Sequence, residues 1–182
     1  MMRAIGIIET NVMARGLLAA DSMAKAADVK LLVSTPVCPG KYLIIIQGTI
    51  SSIKSSMDIG SRTAGETVTG FTIIPNVHPE VFPAISGTTS VEEIGAIGMI
   101  ETYSAPSAVM AADEAVKSAK IKLIEIRLSR ALGGKAFALF TGEVGAVKAA
   151  ISAAVNRVKD EGLVLSTTII PAPHKDLLKH LL

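Results

Sequence analysis

The heptapeptide AIGIIET at Ala4–Thr10 returns almost unchanged as AIGMIET at Ala96–Thr102, an offset of 92 residues. Residues 4–32 and 96–124 share 13 identities in 29 aligned positions, among them an Ala-Ala-Asp step with a lysine four residues after it. Similarity at a fixed spacing is the signature of a repeated structural unit. The first third of each half therefore derives from one pattern.

The repeat continues to the end of each half with slightly larger offsets. Ile73-Ile74-Pro75 matches Ile169-Ile170-Pro171 at an offset of 96, and His78 matches His174. Two insertions of two residues in the second copy explain the shifts. The sequence therefore predicts two domains, residues 1–88 and 89–182, joined around Ser86–Gly95.

Each copy shows the same order of short apolar strands and helices. In the first copy we expect strands at 4–9, 30–35, 41–48 and 67–75, and helices from about 11 to 27 and over 50–64. Thr10 or Asn11 is suited to cap the first helix. That helix has a predicted apolar stripe, repeated in the second copy as Ala105, Val109, Ala112, Val116 and Ala119. The first-copy stripe is Met13, Leu17, Ala20, Ala24 and Ala27.

The β-α-β-β-α-β order predicts an α+β fold related to the ferredoxin-like arrangement. The chain is 49% hydrophobic and its mean hydropathy is +0.50, so extensive oligomer contacts are expected to cover apolar surface. The longest apolar runs are strand-length, which disfavours a membrane partner or a signal peptide and indicates a cytoplasmic protein. The net charge is +2, and the absence of a basic block with interleaved aromatics disfavours nucleic-acid binding.

Four features of the repeat carry a resemblance to a known family. They are the AIGxIET strand, the Ala-Ala-Asp helix with its lysine, the Gly-Lys turn, and Ile-Ile-Pro with a histidine three residues further on. Together they resemble the shell-protein domain of bacterial microcompartments, and they occur twice. The loop Cys38-Pro39-Gly40-Lys41 also resembles that of the iron–sulfur shell proteins of propanediol-utilisation microcompartments.

The resemblance implies a structural shell component within the cytoplasm, not an enzyme. Tandem members of the family form trimers that imitate flat hexamers, so we expect a pseudohexameric homotrimer that contacts other shell proteins. The implied pore loops contain Val37, Pro39, Gly40, Arg130, Ala131, Leu132 and Gly133. The family's shell-edge positions fall on Lys25, Lys117, His78 and His174. The edge arginine common in the family is replaced by Asn76 and Ala172.

The resemblance assigns Cys38 to a [4Fe–4S] cluster shared by three subunits at the threefold axis. One thiolate cannot hold such a cluster, but three symmetry-related thiolates can bind three equivalent irons and leave the fourth iron to a small ligand. Zinc on three thiolates and a water is the nearest alternative. A small buried cysteine without any metal is the other.

Two roles follow for a cluster in the pore. It would move electrons across the shell, or pass iron–sulfur units to encapsulated redox enzymes. A second hypothesis keeps the shell plate but makes the pore a metal-free passage for small metabolites. A third makes the chain a thiol enzyme, with Cys38 as nucleophile and His78 as base. Against the third, the cysteine-free copy keeps the equivalent His174.

Overall fold

Each half of the chain folds into the predicted β-α-β-β-α-β unit, which confirms the α+β fold class. The structure is a computed structural model that describes residues 3–161 and 163–180. The first half contains, in order, β1 (Ala4–Thr10), α1 (Met13–Ala26), β2 (Val29–Val37), β3 (Lys41–Gly48), α2 (Ile50–Ala64), a 3₁₀ turn (Gly65–Thr67) and β4 (Val68–Ile74).

A short helix, α3 (Val81–Ser86), follows the first unit, and a shorter one, α6 (Lys175–Leu178), follows the second; neither was predicted. Between them the second half contains β5 (Ala96–Thr102), α4 (Ala105–Ser118), β6 (Ile121–Arg127), β7 (Ala136–Gly142), α5 (Val144–Val158), a 3₁₀ turn (Lys159–Glu161) and β8 (Val164–Ile170).

The four strands of each half form one antiparallel sheet. The strand order is β2-β3-β1-β4 in the first sheet and β6-β7-β5-β8 in the second. The strands β2 and β6 each lie at one edge, and the register of each shifts by one residue, at Leu32 and Ile124 respectively. These two residues are equivalent in the repeat, so the sheets share this irregularity as well as their order.

The start of α1 differs from the predicted cap at Thr10 or Asn11. The N-cap residue is Val12, whose side chain has no acceptor, and the Thr10 hydroxyl donates to the Val12 carbonyl at 3.1 Å. The prediction was wrong because Thr10 still belongs to β1, two residues before the cap position. In α4 the cap is Ser104, and Pro106 lies in the first helical turn, where proline is well tolerated.

Of the apolar stripe predicted for α1, Ala20 is buried, but the prediction is wrong for the other four residues. Met13 and Leu17 are exposed, whereas the residues of this helix that are buried are Gly16, Ala19, Ala20 and Met23. Gly16 and the two alanines are small enough to let the helix approach the sheet closely, so this face turns inward. In the second copy the predicted stripe is buried at Ala105, Val109, Ala112 and Val116.

The described part of the chain divides into two compact units. The first holds the residues through Val77 together with Ser129–Gly134, and the second holds His78–Leu128 and the residues from Lys135 onward. The loop between β6 and β7 thus groups with the first unit. The domain boundary between residues 88 and 89 stays a prediction.

Candidate functional site

Cys38 lies in the tight turn that joins β2 to β3. It is the single cysteine of the chain, and its side chain is partly exposed. The peptide bond from Cys38 to Pro39 is cis, and Gly40 follows with a φ of +72°. A side chain at Gly40 would meet no atom within 4 Å. The turn therefore carries one partly exposed thiol.

The segment Ser129–Gly134 packs against this turn within the first compact unit. The Cys38 N–H donates to the Ser129 carbonyl at 3.1 Å, and the buried Ser129 hydroxyl donates to the Gly134 carbonyl at 3.2 Å. A Cβ atom on Gly134 would lie 2.8 Å from Pro39 Cδ and 3.1 Å from the Cys38 carbonyl oxygen. The second loop therefore holds the cysteine turn in place through its backbone.

The second loop is a tightly wound turn with an exposed tip. Four of its residues adopt positive φ angles: Ser129, Ala131, Gly133 and Gly134. The exposed Arg130 donates from Nη2 to the Thr35 hydroxyl at 2.7 Å, which ties the tip to β2. The structure thus brings together the two predicted loops, with Val37 buried, Leu132 half-buried, and Pro39, Gly40, Arg130, Ala131 and Gly133 exposed. That they line a pore stays a prediction.

A buried ion pair lies at the base of the cysteine turn. Lys41 Nζ donates to Glu9 Oε1 at 2.7 Å, with side chains 22% and 1% exposed. The other Glu9 oxygen, Oε2, is buried without a hydrogen-bond partner among the described residues. The repeat contained a signal for this pair, because both copies combine Glu-Thr with Gly-Lys. The second copy forms the same pair, Lys135 to Glu101 at 2.9 Å, at a more exposed position.

The four predicted shell-edge residues lie in two local arrangements. Lys25 pairs with Asp21 at 2.6 Å on the exposed surface of α1, and Lys117 pairs with Asp113 on α4. The other two are histidines, and each accepts a hydrogen bond at Nδ1 from a backbone N–H two residues later. His78 accepts from the Glu80 N–H, and His174 accepts from the Asp176 N–H. Their part in contacts between shell proteins stays a prediction.

The described residues contain no group of three or more His, Cys, Asp or Glu side chains placed to hold a metal ion. A metal on Cys38 would therefore need ligands from other chains or from solution. Among the same residues, no helix is long and apolar enough to cross a membrane.

Comparison with known proteins identifies the fold and the family. A family model described as the BMC domain matches residues 4–77 and again 96–173. The chain is 35% identical over 181 residues to the bacterial microcompartment shell protein PduT of Citrobacter freundii, covering 100% of this chain and 98% of that one. It is 31% identical to the carboxysome assembly protein CcmO of Synechococcus elongatus, covering 98% of this chain and 68% of the relative.

A solved structure shows the same architecture over the full length. It is that of a microcompartments protein from Desulfitobacterium hafniense DCB, with a TM-score of 0.92, 42% sequence identity and coverage of 98% of this chain and 99% of that chain.

These relatives correct the thiol-enzyme hypothesis for Cys38 and His78, because they are named as shell and assembly proteins and not as enzymes. The structure gives a physical reason for His78 as well, since its Nδ1 is engaged by the backbone of its own turn. With both repeats matched by the BMC domain and a full-length relative of the same kind, the chain belongs to the BMC-domain family as a tandem-domain bacterial microcompartment shell protein.

Proposed function

We propose that three copies of this chain close into a pseudohexameric ring that forms one plate of a microcompartment shell in the bacterial cytoplasm. Support comes from the unequal exposure of the two repeats. On α1, Leu17 is 59% exposed and Leu18 49%, whereas the equivalent Val109 and Met110 are 0% and 4% exposed. Apolar side chains left in water favour association. In a ring of three, each first domain offers this surface to a neighbouring chain.

The ring would place three Cys38 turns around one axis. A [4Fe–4S] cluster needs several thiolates, and threefold symmetry supplies three from a chain that has one. The observation that carries this proposal is the hydrogen bond from Cys38 N–H to Ser129, which holds the partly exposed thiol in a defined turn. The donor set fits a shared cluster, with Cys38 as the ligand from each chain.

A cluster bound there supplies one-electron redox chemistry in the shell wall. The chain's own residues would hold it and set its surroundings, with Pro39, Gly40 and the Arg130 tip around the thiol. We propose that its role is to carry electrons across the shell, or to deliver iron–sulfur units, to redox enzymes enclosed by the shell. The plate would tile with other shell proteins through edges that include Lys25 and Lys117.

The test is an anaerobic purification followed by iron, sulfide and zinc analysis, with the oligomer mass measured by analytical ultracentrifugation. We expect a trimer with about four irons and four sulfides. Cys38→Ser should lose both and stay trimeric. The matched control is Lys54→Ala on the exposed surface of α2, which keeps the thiol and both loops and should keep the iron.

The other outcomes separate the alternatives. Zinc in place of iron, lost in Cys38→Ser, would assign a zinc site of three thiolates and a water. An intact trimer without metal would leave the metal-free passage for small metabolites and remove the cluster. A monomer by mass would overturn the ring itself.

A further inference from the structure

The segment that follows β4 covers the edge strand β6 within the second compact unit. Glu80 accepts two hydrogen bonds there, from Lys122 Nζ at 3.1 Å and from the Leu123 N–H at 3.2 Å. The Thr89 hydroxyl donates to the Ile124 carbonyl one residue further along β6. An edge strand has free backbone groups that need partners. This segment supplies partners for two of them on β6, the Leu123 N–H and the Ile124 carbonyl.

The same segment is anchored to α4 at its start. The backbone N–H of His78 donates to Asp113 Oδ1 at 2.7 Å, and Asp113 Oδ2 pairs with Lys117. The Asp113 side chain is only 7% exposed as a result of its packing. Three residues later, Val81 of α3 is fully buried. The contact thus combines a charged anchor, backbone hydrogen bonds and an apolar side chain.

The first repeat has the same residues as the surface of α4 and β6 that this segment contacts, which we call the receiving surface. At the offset of 92, the positions of Asp113, Lys117, Lys122 and Leu123 are occupied by Asp21, Lys25, Lys30 and Leu31. Every one of these residues is identical between the copies. Yet the Asp21 side chain is 55% exposed, and the residues of β2 from Val29 to Thr35 are half-buried or exposed where most of those on β6 are buried. The receiving surface of the first repeat is therefore open.

The segment that follows β8 in the second repeat resembles the segment that covers β6. At the offset of 96, His78, Glu80 and Val81 correspond to His174, Asp176 and Leu177. His174 Nδ1 accepts from the Asp176 N–H at 3.3 Å, so the turn has the same local form. Leu178 packs on the cluster of Ile97, Ile124 and Leu139 in its own domain, whereas Leu177 is 40% exposed. The segment is held by Leu178 and presents Leu177 and Asp176 outward, with Asp176 paired to the exposed Lys179 at 2.7 Å, a contact that the docked segment would exchange for the partner's lysine.

We infer that His174–Leu178 docks on β2 and α1 of a second copy of this chain. The His174 N–H donates to the partner's Asp21, and Asp176 accepts from the partner's Lys30 and from the N–H of the partner's Leu31. Leu177 covers the partner's β2 as Val81 covers β6. This inference rests on the proposed ring, in which the tail of each repeat covers the edge strand of the next. It assigns His174 to the contact between subunits.

The test is chemical cross-linking between two separately prepared single-cysteine chains in a Cys38→Ser background. One carries Asp176→Cys and the other carries Lys30→Cys, and the mixture is treated with a short bismaleimide. We expect a covalent dimer that contains one chain of each kind. The matched control replaces the second chain with Lys54→Cys, an exposed lysine of α2 in the same domain, and should give no dimer. A chain with Glu80→Cys and Lys122→Cys confirms the reach of the reagent by an intrachain link.

The mixture is also sedimented, so that this inference and the ring are judged separately. A trimer that gives no link between positions 176 and 30, while the 80–122 control links, overturns the docking and leaves the ring intact. Equal dimer yields with Lys30→Cys and Lys54→Cys also overturn it, because the contact is then not specific. A monomer by sedimentation overturns the docking and the ring together.

Discussion

A Cβ atom on Gly16 would lie 2.5 Å from the Cβ of Tyr42, so α1 approaches β3 as closely as a glycine allows. The Tyr42 hydroxyl is held by Ser34 Oγ at 3.0 Å, which fixes the ring beneath the helix. At the equivalent positions the second repeat has Ala108 and Ala136, both fully buried. The two repeats therefore divide the space between helix and strand differently, one with a glycine and a tyrosine and the other with two alanines.

We predict that Gly16→Ala destabilises the protein by about 1–3 kcal/mol, because the added methyl group overpacks against Tyr42. In a Tyr42→Ala background the same change should cost less, because the ring atom Cδ1 at 2.8 Å is removed, but it should still destabilise, because the Cβ of residue 42 and Thr10 Oγ1 would lie 2.5 and 2.7 Å from the new methyl group. Urea denaturation of the four proteins of the double-mutant cycle gives the coupling energy. Additive free energies would show that the Tyr42 ring does not contribute to excluding a side chain at position 16.

The buried pair of Glu9 and Lys41 should be far more sensitive than its repeat equivalent. Lys41→Met leaves a carboxylate that is 1% exposed without its cation, and we expect a loss of about 3–5 kcal/mol. Lys135→Met removes a pair whose side chains are 40% and 26% exposed, and the loss should be at most about 1 kcal/mol. Chemical denaturation followed by circular dichroism measures both.

The double variant Glu9→Gln with Lys41→Met is the control for this prediction. It removes the buried charge together with its partner, so it should recover part of the stability lost by Lys41→Met alone. Equal losses for Lys41→Met and Lys135→Met would contradict the burial argument.

Gly134 and Gly133 offer a matched pair for the loop that supports Cys38. Both have positive φ angles, of 89° and 60°, so an alanine at either costs about 1–2 kcal/mol in backbone strain. Only at Gly134 would the new Cβ also meet Pro39 and the Cys38 carbonyl. We predict that Gly134→Ala speeds the reaction of Cys38 with Ellman's reagent well beyond Gly133→Ala, because the cysteine turn loses its support. Similar rates in the two variants would argue against that support.

The cap of α4 provides a fourth prediction. Ser104 Oγ accepts from the Ser107 N–H at 3.2 Å, and Ser104→Ala should cost about 1 kcal/mol because one amide of the first turn loses its acceptor. Val12 occupies the same position before α1 without any side-chain hydrogen bond. Val12→Ala should therefore stay within about 0.5 kcal/mol of the parent protein. Thermal or urea unfolding measures the stability loss of each variant. An equal loss in Val12→Ala would show that the effect of Ser104→Ala does not come from the lost capping hydrogen bond.

Sequence reasoning worked where the pattern is local and failed where packing decides. The predicted strand at 41–48 and the predicted helix at 50–64 have the observed bounds, because a continuous apolar run and a Thr49 cap act within one segment. The buried side of α1 was mispredicted, because the sequence alone does not show whether the Leu17 face or the small-residue face around Gly16 meets the sheet. The equivalent face is also buried in α4, where Ala108 takes the place of Gly16, and Val109 is buried there as well.

The candidate site divides in the same way. The repeat and the Cys38 turn are visible in the sequence, but the support of that turn by Ser129 is not, because it joins residues 91 positions apart through backbone atoms. The residue type at position 129 does not predict which hydrogen bond its backbone carbonyl accepts.

By itself, the sequence determined that this protein consists of two copies of one α+β unit, since a repeated order of apolar and polar residues specifies repeated strands and helices. The tertiary structure alone decided how the copies differ: whether the outer face of the first helix is covered, which ion pair is buried, and which edge strand is covered. Identical residues such as Asp21 and Asp113 end in different environments. The physical reason is that burial and hydrogen bonding are set by what packs against a residue, and a repeated sequence does not give its two copies the same neighbours.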